Sequence, residues 1–204
     1  MSRTARYKLQ YVLVLGVLMA IAGVAVWSLR THPLALLGVG VLLMIPGRVS
    51  GFVWRDLYRG RRLCEAGQFE ASLRCSQRFL ETISERPRLR RLWWLAWAFY
   101  SRDSKAMALN NIGAAQLELG RLDEAESSLR KALVADSQYP IPHYNLAVLS
   151  EVRRDSPAAR EHANEAVVLG YERAVSDRII HAAGALLARI EGRGSGSEVS
   201  RTDA

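Results

Sequence analysis

Cysteine is nearly absent from this chain of 204 residues, with only Cys64 and Cys75 present. The two form neither a C-x-x-C pair nor a zinc-ligand spacing. They fall on consecutive predicted helices and read as two small buried thiols of a helix pair. No glycine-rich phosphate loop, H-E-x-x-H helix or nucleophile elbow occurs. The histidines His32, His143, His162 and His181 lie far apart in sequence and read as surface or packing residues. The carboxylates of residues 106–191 read as solvated helix faces. The expectation is therefore no catalytic residues, no metal, no cofactor and no enzyme.

Acidic residues are missing from the first 54 positions, which hold five basic ones. Residues 55–105 carry a net charge of +6 and residues 106–191 a net −3, within an overall +8. A basic excess beside an apolar segment favours anionic lipid headgroups, by roughly 1 kcal/mol per residue near the surface. Nucleic acid is the other usual partner of a basic chain. It is not expected here, because no binding motif appears and the 106–191 half is acidic.

Two long apolar runs occupy residues 1–54. The first, residues 9–29, is interrupted only by Gln10 and Ser28 and is long enough as a helix to span a bilayer. Ala20-Ile-Ala22 could serve as a signal-cleavage site, but the apolar run continues well past it, which favours a retained anchor. The second run, residues 34–54, contains Pro46-Gly47 and Arg48, an arginine able to snorkel to the headgroups. Glycines punctuate both runs and allow close helix approach. The Gly47-x-x-x-Gly51 spacing would also let copies of the chain associate as a homo-oligomer. Arg3, Arg6 and Lys8 precede the first run, and Arg55, Arg59, Arg61 and Arg62 follow the second. By the positive-inside rule both termini are expected in the cytoplasm.

Beyond residue 105 the apolar pattern becomes helical and repeats. Residues 106–139 and 140–173 align at an offset of 34: Ile112 with Leu146, Gly113 with Ala147, Ala125 with Ala159, Ala132 with Ala166, Asn111 with Asn145. Small residues fall where two helices of a pair would cross, and Gly120 where the first helix would end in a left-handed residue. Residues 55–105 hold a weaker copy, with Gly60, Cys64, Gly67, Phe69, Ala71, Phe79, Leu80 and Ile83, plus an insert. Residues 174–191 read as an amphipathic capping helix, and residues 192–204 as a flexible, disordered tail.

The segment from Asn111 through Gly120 to Ala125, Leu129 and Ala132 resembles the tetratricopeptide repeat (TPR) family. Leu109 and His143 stand where that family has tryptophan, Gln116 and Ser150 where it has tyrosine, and Arg154 replaces the second glycine. Together with the transmembrane hairpin read from the two apolar runs (residues 1–54), the resemblance implies an all-α fold that continues as a short helical-repeat superhelix. It also implies a concave groove that binds a protein or peptide. The groove positions would be Asn110, Asn111, Ala114 and Leu117, then Tyr144, Asn145 and Val148, then Arg178 from the capping helix. Bacterial proteins with two membrane spans before such repeats are a familiar arrangement, so an inner-membrane location is expected.

Residues 88–102 are basic at both ends and hold Trp93, Trp94 and Trp97. These rings either pack between repeats or lie at the membrane interface. Two functions follow as expectations. One is a membrane-anchored scaffold that recruits a protein partner. The other is an assembly subunit of a membrane complex whose hairpin makes the main contacts.

Overall fold

A computed structural model describes residues 54–86, 103–174 and 176–202, with side chains through 192, and within the first run residues 13, 16–17, 19–24 and 26–28. The aromatic insert with Trp93, Trp94 and Trp97 lies outside the described residues. So do the second apolar run before Trp54 and much of the first. Among the described residues no helix is long and apolar enough to cross a membrane. The described part of the first run is helical, and its large apolar side chains are exposed, among them Leu13, Met19, Val24 and Trp27.

The described residues are all-helical. Three helix pairs follow one another: α1 (Arg55–Glu65) with α2 (Phe69–Glu85), α3 (Ser104–Glu118) with α4 (Leu122–Ala135), and α5 (Pro140–Val152) with α6 (Ser156–Val168). A long last helix, α7 (Ser176–Thr202), closes the series. Within each pair the helices pack on each other, and the first helices α1, α3, α5 and α7 touch in that order. The result is a helical-repeat stack in which each unit buries its apolar face on its neighbours.

Local chemistry places the helix ends. Asp103 caps α3 by accepting a hydrogen bond from the Lys105 backbone N–H at 2.8 Å. Asp155 caps α6 by accepting from the Ala158 N–H at 3.2 Å. Capping oxygens of this kind satisfy amides that have no partner inside the helix. Prolines stand in the first turns of α5 and α6, where a missing N–H costs nothing.

Glycine sets the crossing of the first two pairs. A Cβ on Gly113 would lie 2.7 Å from the Leu129 Cγ, so only glycine lets α3 approach α4 this closely. Gly60 has the same role in the first pair, where a Cβ would lie 2.5 Å from the Ser76 Oγ. The Ser72 hydroxyl there donates to the Gly60 carbonyl at 2.7 Å, tying α2 to α1. The weaker sequence copy is thus a helix pair of the same construction.

Three clusters make the core. Trp54, Leu57, Phe79, Ile83 and Ala108 join α1, α2 and α3. Leu73, Ile112 and Ala115 join α2 to α3. Leu117, Ala125, Val148, Val152, Ala163, Ile179, Ala183 and Leu186 join the later helices to α7. Trp54, expected at the end of the second membrane run, is 1% exposed, and its ring lies 5.6 Å from that of Phe79 in the core of the first helix pair.

Both thiols are free, Cys75 buried and Cys64 partly so. Burial, with the Glu118 charge adding to it, pushes the Cys64 thiol up to about 11. A flexible tail was expected from Gly192; the backbone there is helical to Thr202. Helix growth from an already docked first half avoids the nucleation cost, and each glycine opposes it by only about 1 kcal/mol.

Candidate functional site

The row α1, α3, α5, α7 carries every residue expected to line the groove. The structure divides them into three groups. Asn110, Leu117 and Val148 are buried, Asn111, Ala114, Tyr144 and Asn145 are half-buried, and Arg178 is exposed. Only the second and third groups present surface to another molecule.

The asparagines join neighbouring helices. Asn145 Nδ2 on α5 donates to Asn110 Oδ1 on α3 at 3.0 Å. Asn111 Nδ2 on α3 donates to the Leu57 carbonyl on α1 at 3.3 Å. Each contact links the first helix of one pair to the first helix of the preceding pair. The equivalence of Asn111 and Asn145 at an offset of 34 is therefore, in structure, a repeated tie along the row. Asn110 is 5% exposed, so its carbonyl would lack a partner if Asn145 were lost.

Gln116 and Ser150, which stand where the repeats this sequence resembles have tyrosine, are both buried. Gln116 Oε1 accepts from the Ser128 hydroxyl at 2.7 Å, and its Nε2 donates to Glu124 Oε2 at 3.1 Å. A polar network thus fills the space of the missing ring between α3 and α4.

Helix α7 covers part of the row. Leu187, Ile190, Ala182 and Tyr144 pack on the cluster that contains Leu117, Val148 and Leu186. Arg189 on α7 pairs with Glu118 at the end of α3 at 2.7 Å. Ile190 lies over Gly120, whose Cβ would sit 3.3 Å from the Ile190 Cγ1. A single helix thus reaches from the third pair back to the α3–α4 turn. What remains open is a strip of Ala114, Tyr144 and Arg178, with Asn111 and Asn145 at its floor. The Tyr144 ring meets Tyr171 edge-on at 5.4 Å. Burial holds the Tyr144 hydroxyl above its ordinary range, with Tyr171 adding and the Arg178 charge opposing. Tyr144 offers an aromatic surface and Arg178 a guanidinium suited to a carboxylate.

A second arrangement was not legible in the sequence. His143 on α5 and His162 on α6 meet with their Nδ1 atoms 3.3 Å apart and ring centroids at 5.5 Å. Both are half-buried. Burial holds both below the usual histidine range. For His143 the His162 charge acts in the same direction, and for His162 the Arg130 charge does. The available signal was the placement of both residues on the two helices of one pair. Among the described residues no group of three or more His, Cys, Asp or Glu is placed to hold a metal ion.

Between pairs, ion contacts supplement the core. Arg121 reaches back to Glu70 on α2 at 2.6 Å. Arg153, just past α5, forks onto Asp123 and Glu126 of α4. Arg130 binds the same Glu126 at 2.8 Å.

Comparison with protein-family models, curated proteins and solved structures gives no match for this chain.

Proposed function

We propose that this chain is a membrane-anchored scaffold of TPR type that holds a protein or peptide partner on the open strip of its first-helix row. The observation that carries the scaffold reading is the serial stacking of α1, α3, α5 and α7 beside one another. Such a row offers side-by-side helix surface to an extended ligand, with Arg178 exposed and Ala114 and Tyr144 half-buried. Ala114, Tyr144 and Arg178 would make the contacts. Asn111 and Asn145 would form a floor already engaged within the protein. The surface suits a partner segment with an apolar residue against Ala114 and Tyr144 and a carboxylate near Arg178.

The anchor reading is supported by the first apolar run. Its helical residues carry exposed Leu13, Val17, Met19, Ile21, Val24, Val26 and Trp27, between 47% and 70% accessible. Exposed apolar side chains on these described helical residues suit a lipid surround. With Trp54 in the domain core, the repeats would begin directly at the membrane face, in an inner membrane with both termini in the cytoplasm.

The test replaces surface without touching the core. Intact protein is purified from its native membrane, and co-purifying chains are compared for the parent, Ala114→Arg and Arg178→Glu. The expected result is loss of one partner at unchanged thermal unfolding. Full recovery with both variants would overturn the groove. A fragment that keeps Trp54 but lacks the apolar runs should still bind. Its failure to bind while folded would move the contacts to the apolar segments, as expected of an assembly subunit.

A further inference from the structure

The pair His143 and His162 has a geometry that the groove reading does not use. Two nitrogen ligands on one tetrahedral zinc ion, each at about 2.0–2.1 Å, are separated by about 3.3–3.4 Å. The Nδ1 atoms of His143 and His162 are 3.3 Å apart. That distance is long for a direct N–H hydrogen bond, whose usual donor–acceptor distance is about 2.9–3.0 Å. The two rings come from the two helices of one pair, so the spacing is set by α5–α6 packing and not by one flexible loop.

We infer that His143 and His162 form a two-histidine clip for a divalent transition ion of the zinc class, bound through both Nδ1 atoms. The remaining coordination positions go to water, while the exposed Glu165, one turn after His162 on α6, adds a nearby negative charge. Imidazole is a preferred ligand of zinc, nickel and copper. A histidine must be neutral to ligate. Burial favours the neutral form of both rings here. The field at the site is mixed: Glu126 and Glu161 join Glu165 around His162, against the single charge of Arg130. An ion so held would staple α5 to α6 beside the partner strip at Tyr144. With two protein ligands assured, the clip is a site of modest affinity that responds to metal level. The inference stands apart from the partner and anchor readings.

The experiment uses the full chain in detergent micelles, free of any polyhistidine tag, with zinc chloride as the probe. One ion per chain should bind saturably with a midpoint in the micromolar range, and thermal unfolding should rise by several degrees. His143→Gln and His162→Gln should each weaken binding at least tenfold and abolish the rise, while His181→Gln, at an exposed position of α7, should change neither. Glu165→Gln should weaken binding by less than either histidine variant. Equal titration of the parent and both histidine variants would overturn the clip, as would absence of saturation below about 1 mM zinc. Nitrogen-15 shifts of the imidazoles give a readout without substitution. Zinc should move the Nδ1 resonances of both rings, and movement of neither would overturn the inference even if a variant failed to fold.

Discussion

Arg154 adopts the same left-handed backbone as Gly120, 34 residues before it, with φ of 61° against 79°. Both residues follow the first helix of a pair and let the chain turn into the second. Glycine bears this conformation without penalty, whereas a side chain brings its Cβ too close to the following carbonyl, at roughly 1–2 kcal/mol. The third pair therefore carries a strain that the second pair avoids.

Arg154→Gly should stabilise the protein. Relief of the left-handed cost is partly offset by the greater freedom of glycine in the unfolded chain, about 0.5–1 kcal/mol. The net expectation is a gain of about 0.5–1 kcal/mol in urea unfolding. Gly120→Ala should lose about 1–2 kcal/mol, and its Cβ would also press on Ile190. A loss of stability in Arg154→Gly would contradict the assigned backbone conformation.

The tie between Asn145 and Asn110 can be measured by a double-mutant cycle. Asn145→Ala should cost about 1–3 kcal/mol, because the buried Asn110 carbonyl loses the donor that Asn145 supplies. Asn110→Ala with Asn145→Ala together should cost less than the sum of the two, with a coupling of at least about 0.5 kcal/mol. Additive losses would mean that the side chains do not meet. The cycle also guards the groove test. Lost partner recovery in an asparagine variant would follow from loosening of the row and would not by itself mark a ligand contact.

Acid should weaken the junction between the second and third pairs. Hydrogen bonds from Arg130 and Arg153 hold the Glu126 carboxyl below its ordinary value of 4.5. The folded state therefore favours the ionised form more than the unfolded chain does. That contribution is fully present above the unfolded carboxyl value and is lost as pH falls through the lower, folded one. Unfolding temperature should drop as pH falls below about 4.5, and Glu126→Gln should flatten this drop while lowering stability at pH 7. An unchanged acid slope in Glu126→Gln would exclude Glu126 as its source.

Much of this architecture follows from residue types with few alternatives. Gly113 and Ala147, at the close crossings of their pairs, and Ala125 and Leu129 against them, recur at the repeat spacing because helix packing leaves room for little else. Gly120 announces its turn for a backbone reason, and Arg154 shows that the turn survives when the reason is violated. Trp54 could not be placed this way. An apolar residue at the end of an apolar run has the same transfer preference for lipid as for a protein core, and only Leu57, Phe79 and Ile83 around it decide between them. The asparagines left two roles open for a related reason. An amide suited to an incoming backbone is equally suited to a neighbouring helix, and Leu57 and Asn110 supply that partner here. The His143–His162 contact depends on the rotation of α5 against α6, which residue spacing alone does not give.

The reach of α7 over the row yields the last prediction. Its first half is bound by fully buried contacts: Ile179, Ala183 and Leu186 are each at most 3% exposed. Its second half is held by less, the partly buried Leu187 and Ile190 and the ion pair of Arg189 with Glu118. Arg189 is 47% exposed and Glu118 27%, so solvent screens that pair and its loss should cost at most about 1 kcal/mol. Leu186→Ala should therefore destabilise the whole stack, by about 2–5 kcal/mol. Ile190→Ala should act locally. Amide hydrogen exchange in that variant should quicken from residue 187 onward while α3, α4 and α5 keep their protection, because fraying of a helix end need not open the core. Arg189→Ala should give a weaker version of the same pattern. If the second half of α7 shields the strip of Ala114 and Tyr144, Ile190→Ala should also increase partner recovery in the membrane purification. Exchange that accelerates throughout α3–α6 in Ile190→Ala would mean that the end of α7 belongs to the global folding unit, and the idea of a separately opening cover would fall.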